Sequence, residues 1–429
     1  MLFSGLYTFF LHILAIIAFP YFLYNRITKG KYKNSIKARL GINFPKISKD
    51  EKFLIWIHAI SVGETKACAP LVKMIKKDKP DSIIVFSSIT ETGHEEAKKI
   101  LNDQVDYFIY LPFDLPYIIK PIVHEIKPNL VIITETDFWY HFQTAAKECG
   151  ADVIIVNAKL SKKSLKRYSI LPWLTAPIFH SIDFMCVQSQ SYKKRFLELG
   201  IPPDHLEVTG NLKLDDIYEE LSSDQLNEMR SQLGLEYEDK VLVIGSTHDP
   251  EEKIFFQELK KVWRRWPNLK VFIAPRHPER FKNVQTILEK QGIGCALWSR
   301  QEKFNFDTKV MLVDVMGVLR GLYQLSDIAL VGGSFVDGIG GHNLLEPSWY
   351  SKPVIYGPYI YGQKDFDALI CQKQAGISIN QEEIAETILR LLTNDSLRLQ
   401  MGAAGRTIFN EAKGSTSKTW ALIQKITFT

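Results

Sequence analysis

Acidic side chains are missing from the start of this 429-residue chain: no Asp or Glu precedes Asp50. The same stretch carries eight cations, Arg26, Lys29, Lys31, Lys33, Lys37, Arg39, Lys46 and Lys49; taken from the net +5, they leave −3 for the remainder. Positive charge is therefore a feature of one end, which excludes a nucleic-acid surface spread over the protein. Cysteine is sparse and scattered (Cys68, Cys149, Cys186, Cys295, Cys371), with no C-x-x-C pair. That excludes a disulfide framework and a zinc site, and fits idle thiols in a reducing compartment. No G-x-x-x-x-G-K-[ST] is present, which argues against ATP hydrolysis, and no G-x-G-x-x-G followed by a distant acid supports NAD. The only D-x-D, Asp365 and Asp367, falls in a predicted helix rather than at a strand end. A metal-clamped nucleotide diphosphate has little support from it. No metal and no cofactor are expected.

What the chain does have begins with Met1 to Tyr24, where His12 is the only side chain of a type that titrates near neutral pH. Roughly 20 apolar residues suffice to cross a bilayer core as a helix. A cleaved signal peptide would carry a basic segment before the apolar run and a small-x-small site after it, and neither is found. The cations from Arg26 to Arg39 follow directly, which places the downstream chain on the cytoplasmic side and attracts anionic headgroups. The expectation is an uncleaved anchor over 1–25 and a basic juxtamembrane segment over 26–49, on a bacterial inner membrane.

Beyond it, short β-rich runs alternate with helical stretches, the pattern of a parallel, doubly wound sheet. Strands are predicted at 53–59, 82–89, 107–112, 130–134, 152–157, 184–188 and 206–209. After a polar stretch the pattern restarts, with strands at 240–245, 270–274, 309–313, 328–331, 353–356 and 376–379. This predicts an N-terminal Rossmann-like domain over 50–215, a linker over 216–239 and a C-terminal one over 240–410. A last helix, 411–429, is expected to pack back on the first domain. Two such halves would face each other across a cleft, with ligands beyond the carboxyl ends of the strands.

The polar residues cluster at those ends. After the first strand comes Ser61-Val62-Gly63-Glu64, where Gly63 allows a tight turn and Glu64 sits in the first turn of a helix. The positive field there would keep the carboxylate ionised and ready to accept a proton, although the same field favours acids in first turns generally. After the fourth strand stand Glu135 and Asp137, two acids that packing explains poorly. Glu135 would orient a partner or steady positive charge in an oxocarbenium-like transition state. Five of the ten residues from Gly332 to Gly341 are glycine, leading into His342-Asn343-Leu344-Leu345-Glu346-Pro347. Glycine lets backbone approach a phosphate; Asn343 with Glu346 also fits a capping box. In Gly245-Ser246-Thr247-His248, Asp249 is the expected N-cap of the next helix, with Pro250 at N1. Pro275-Arg276-His277-Pro278 offers cations suited to a phosphate, and Asn211-Leu212-Lys213 and Met316-Gly317-Val318 occupy comparable loops.

Ser61–Glu64 (S-V-G-E), Gly210–Lys213 (G-N-L-K), Gly245–His248 (G-S-T-H), Pro275–Pro278 (P-R-H-P) and Gly340–Pro347 (G-G-H-N-L-L-E-P) together resemble the 3-deoxy-D-manno-octulosonic acid (Kdo) transferases. The resemblance runs in order along nearly the whole chain. It implies a GT-B fold and metal-independent, inverting transfer of Kdo from CMP-Kdo to a phosphorylated lipid A precursor, once or more than once. It also implies Glu64 as general base and transition-state roles for Glu135 and Lys213. The CMP site would be Pro275, Arg276, Met316, Gly317, Val318, Asn343, Leu344, Leu345 and Glu346, with Glu346 on the ribose. Ser61, Gly63, Ser246, Thr247, His277, Gly340, Gly341 and His342 are candidate donor-sugar or phosphate contacts. Two departures stand out. Asp137 replaces a common Glu, and Asn157-Ala158-Lys159-Leu160-Ser161-Lys162-Lys163-Ser164 replaces N-A-R-L-S-E-R-S; both bear on acceptor handling. The rival readings are a UDP-sugar transferase of the same fold, an epimerase, and a non-catalytic, membrane-tethered sugar-nucleotide-binding module.

Overall fold

A computed structural model describes residues 2–29, 35–170, 172–215 and 219–428; Lys31 and Lys33 of the basic cluster lie outside them. The chain divides into two compact units, Met1–Asp216 with Ala412–Thr429, and Ile217–Glu411.

The first unit is built on β1 (Leu54–His58), β2 (Ile83–Ser88), β3 (Tyr107–Tyr110), β4 (Leu130–Thr134), β5 (Asp152–Ala158), β6 (Phe184–Val187) and β7 (Leu206–Val208). They form one sheet in the order β3-β2-β1-β4-β5-β6-β7, and every pairing is parallel. All residues of β1, β2 and β4 are buried, as a parallel sheet covered by helices on both faces requires. Trp56, Val85, Val131 and Ile133 pack into one core layer, and Ile55, Ile57, Ile84 and Ile132 into another. The chain starts in the middle of the sheet, builds outward to β3, then returns to β4. The reversal leaves a crevice at the carboxyl ends of β1 and β4, where ligands of such sheets bind.

Helices α1 (Leu2–Lys29), α2 (Ser35–Arg39), α3 (Val62–Asp78), α4 (Glu91–Leu101), α5 (Pro116–Ile126) and α6 (Tyr140–Glu148) precede β5 in sequence. The apolar N-terminal stretch is thus one helix, running through Pro20. The terminal helix Ser415–Thr427 belongs to the same unit. The Asp215 carboxylate accepts from the backbone N–H groups of Gly414 and Thr416 at its start (2.8 and 2.7 Å). Trp420, 2% exposed, packs under α3 and donates its indole N–H to Asp78 at 2.7 Å.

The second unit repeats the scheme with β8 (Lys240–Thr247), β9 (Leu269–Pro275), β10 (Cys295–Leu297), β11 (Val310–Leu312), β12 (Ile328–Val331), β13 (Val354–Tyr356) and β14 (Gly376–Ser378). The order is β10-β11-β9-β8-β12-β13-β14, and here the reversal falls between β8 and β12. Strand β10 escapes the sequence pattern because its three residues, Cys-Ala-Leu, include no β-branched or aromatic side chain. The polar stretch after Asp215 holds a helix, Ser223–Gln232, closed by a Ser222/Gln225 capping box. None of its residues is fully buried, and its apolar stripe is narrow, Leu226 and Met229 packing against the core beside Leu233. Asp249 is not the N-cap expected: the helix there starts at Glu251 after a cis Asp249–Pro250 bond, and its N-cap, Pro250, has no capping side chain.

Truncating Trp420 removes a large apolar surface from the first unit and leaves Asp78 without its indole donor. Trp420→Ala should cost about 3–5 kcal/mol in denaturant unfolding, whereas Leu399→Ala, at a position 69% exposed, should stay within about 0.5 kcal/mol.

Candidate active site

Glu64 occupies the third position of α3, after the N-cap Ser61. The Ser61 hydroxyl accepts from the Glu64 N–H at 3.4 Å, and the Glu64 carboxylate reaches back to accept from the Ile60 N–H at 2.7 Å and the Ser61 hydroxyl at 3.3 Å. This is a capping-box arrangement shifted by one residue, so a local structural reason for an acid here is real. Its electrostatics differ from the sequence expectation. Burial, then the neighbouring Glu135 charge, raise the Glu64 pKa above the usual carboxylate range, against the pull of the Ile60 N–H. The helix N-terminus alone does not hold it ionised.

The cause of that upward pressure lies across the crevice, at the end of β4. Glu135 has φ +67, a left-handed conformation unfavourable for a side-chain-bearing residue. Its carboxylate is buried between two ammonium groups, Lys213 at 2.7 Å on Oε1 and Lys159 at 2.7 Å on Oε2. Burial raises its pKa, but the two lysines outweigh that and hold it below the ordinary value. With two cations on one anion the trio carries a net positive charge, which suits an anion better than a developing cation. Of the two roles expected of Glu135, the geometry fits the orienting one.

Asp137 completes the group. Its side chain hydrogen-bonds Glu64, and burial, followed by the charge of Glu64, pushes its pKa to about 9. Of the two carboxyls Asp137 is therefore the one that holds a proton, and it donates toward Glu64. Asn157 heads the Asn157–Ser164 segment, but the motif reading gives it no role of its own. Buried at the end of β5 with φ +55, it accepts from the Leu212 N–H at 3.0 Å and so fixes the turn that carries Lys213. A buried Asn ending a strand was the only signal available.

In the second unit the predicted residues also gather at one carboxyl edge. Ser246 and Thr247 end β8, Pro275 ends β9 with Arg276 and His277 beyond it, Met316–Val318 follow β11, and the glycine-rich loop follows β12. Arg276, His277, Met316 and Gly317 are exposed. His248 and His342 stack with their Nε2 atoms 2.7 Å apart, and His277 meets His248 edge-on at 5.1 Å. Burial, and then His248 and the nearby cations, lower the His342 pKa to about 4, so the imidazole pair is neutral.

The loop itself is organised by a residue sequence reasoning missed. Glu251, fully buried, accepts from the backbone N–H groups of His248, Gly333, Ser334 and Phe335 at 2.8–3.1 Å. Those groups are therefore taken, and Gly332 is glycine because a Cβ there would lie 2.8 Å from the Ser246 carbonyl oxygen and 2.9 Å from both the Thr247 Cα and the Glu251 carboxylate. The close approach that glycine permits at this point is to a protein carboxylate rather than to a phosphate. The Asn343/Glu346 capping box is not formed either. Asn343 accepts from the Leu345 N–H at 3.0 Å, and Glu346 pairs with Arg320 at 3.4 Å.

Residues 34–216 match the family model described as 3-deoxy-D-manno-octulosonic-acid transferase (kdotransferase). The 3-deoxy-D-manno-octulosonic acid transferase of Chlamydia muridarum is 35% identical over 422 residues, spanning 98% of this chain and 97% of its own. That of Haemophilus influenzae is 33% identical over 374 residues, 86% of each. The chain belongs to the Kdo transferases. It is a glycosyltransferase, and its fold is GT-B. Similarity in fold alone extends to a UDP-GlcNAc 2-epimerase from Neisseria meningitidis (TM-score 0.59, 16% identity, 87% of this chain and 100% of that one). It extends likewise to MurG of Acinetobacter baumannii (TM-score 0.54, 13% identity, 87% and 99%).

The shared proton in this Kdo transferase has a signed consequence for stability. A carboxyl whose pKa rises from 3.8 unfolded to about 9 folded binds its proton more tightly in the native state, so stability falls as pH climbs between those values. Asp114, raised by burial to about 7, contributes in the same direction only up to that pH. Between pH 7 and 9, Asp137→Asn should therefore flatten the decline in melting temperature that the unsubstituted protein shows. The decline in unfolding free energy attributable to this proton is at most about 1.4 kcal/mol per pH unit.

Proposed function

We propose that this enzyme transfers Kdo from CMP-Kdo to a hydroxyl of a phosphorylated lipid A precursor in lipopolysaccharide synthesis. The observation that carries the reading is the Glu64–Asp137 pair beside a lysine-clamped Glu135 at the switch point of the first unit. Glu64 takes the proton of the acceptor hydroxyl as its oxygen bonds to the anomeric carbon of Kdo. The bond from that carbon to the phosphate oxygen of CMP breaks with its electron pair, and CMP departs. Attack opposite the leaving group inverts the anomeric centre.

Asp137, holding its own proton, donates to Glu64 and tunes its basicity. Lys159 and Lys213, set by Glu135, meet an anion: the carboxylate of Kdo or a phosphate of the acceptor. In the second unit, Arg276 supplies a fixed cation for the CMP phosphate, while Glu346, held by Arg320, is placed to exchange that partner for ribose hydroxyls. Met316–Val318 and the segment Asn343–Leu345 border the nucleotide. Positive charge from side chains at both strand edges supports a reaction run without a metal. The apolar α1 and the cations that follow it support work at the cytoplasmic face of the inner membrane.

The deciding experiment is mass spectrometry of a tetra-acylated, bis-phosphorylated lipid A precursor incubated with the protein and CMP-Kdo, with and without EDTA. Stepwise gain of Kdo masses in both samples is expected, and the number of steps gives the number of sugars. Glu64→Gln should lower the rate about 10²–10⁴-fold. Asp137→Asn, whose amide still donates to Glu64, should stay within about tenfold of normal at pH 7. Near-normal turnover in Glu64→Gln would remove Glu64 from the role of base.

A further inference from the structure

The first three turns of α1 are not free. The Phe3 ring meets Tyr140 edge-on at 4.7 Å. The Tyr7 hydroxyl donates to the Asp114 carboxylate at 2.8 Å, Thr8 shares a hydrogen bond with His141 at 2.8 Å, and His12 with Tyr117 at 3.0 Å. Asp114 is itself part of the unit's interior, 4% exposed, where it also accepts from the backbone N–H groups of His141 and Phe142 at the start of α6. The docking is thus built into the fold.

The chain also returns to the same place. At the end of α2 the Arg39 carbonyl accepts from the Phe113 N–H at 2.8 Å, and the Arg39 guanidinium lies 4.3 Å from the centre of the Phe113 ring. Phe113 and Asp114 are consecutive residues. The apolar helix therefore leaves the unit from one residue and the chain rejoins it at the residue beside it.

Between those points the helix is apolar and uncovered. Ile13, Leu14, Ile16, Ile17 and Phe19 are all exposed, Ile16 by 72%. Successive residues of a helix stand 100° apart, so these positions, with the exposed Ala15 among them, expose its whole circumference rather than one face. A second protein copy would cover one face. Hydrocarbon covers all of them, and Tyr21, Tyr24 and Arg26 at the far end are the residue types that hold a helix at headgroup level.

A helix of 28 residues is about 42 Å long, ample for a bilayer core of about 30 Å, and by length alone it would span. Spanning puts the two ends on opposite faces, whereas Tyr7 and Arg39 are fixed to adjacent residues of one folded unit. We propose that α1 is a monotopic insertion: it enters the leaflet on the side of the catalytic units, immerses the stretch after His12 in acyl chains, and returns to the same face without crossing. This deepens the membrane part of the proposed function and rests on that reading for the identity of the face.

The test is the topology of the full chain carrying one epitope at each terminus, probed by protease in sealed spheroplasts and in inverted inner-membrane vesicles. The expected result is sedimentation with membranes even at about 1 M salt, where surface charge alone is screened. Both epitopes should be removed only in inverted vesicles. An N-terminal epitope lost from intact spheroplasts while the C-terminal one is protected would show a spanning helix and overturn the proposal. So would recovery of the protein in the soluble fraction. The readout does not involve turnover, so failure here and failure of Kdo transfer are separate outcomes.

Discussion

One buried carboxylate held between two ammonium groups organises the carboxyl edge of the first unit. Glu135 follows β4, Lys159 follows β5 and Lys213 follows β7, so the two ion pairs tie three strand ends to one point. Removing either lysine would leave a buried charge partly compensated, the costly half of a buried salt bridge. The left-handed backbone at Glu135 persists against its strain because both oxygens are spoken for. From that fixed anion the rest follows. Its field helps push Glu64 up, and the crowding of three acids leaves Asp137 holding a proton.

The second unit solves a related problem with a different acid. Glu251 gathers four backbone N–H groups, so the glycine-rich loop is shaped from beneath by a side chain of the following helix. In both units a buried acid does the positioning, and exposed or half-buried residues are left to meet substrate. The roles differ with the partner: lysines lower the pKa of Glu135, whereas burial raises that of Glu251 despite its N–H donors.

The sequence reading located thirteen of the strands because fully buried parallel strands read as short β-branched runs, and it placed Glu64, Glu135 and Lys213 at strand ends where the fold brings them together. The Glu135–Lys159 pair was beyond it. Pairings between residues far apart in sequence depend on strand order, which periodicity does not encode. Glu251 escaped the reading for the same reason. The two caps assigned at Asp249 and Asn343 fit local rules and do not form: the first helix starts only at Glu251 with Pro250 as its N-cap, and at the second Glu346 pairs with Arg320.

The C-terminal helix carries an implication for how the chain is assembled. Because Ser415–Thr427 completes the first unit, that unit is discontinuous, and the second is inserted into it between residues 216 and 412. The second unit is thus carried as a cassette with two junctions. Exchange of the second unit by recombination would have to preserve both junctions at once, whereas a single crossover would deprive the first unit of its last helix. Insertion of one domain within another is tolerated where the chain ends of the guest lie close together, and here it makes the two halves separable in principle but heritable only as a pair.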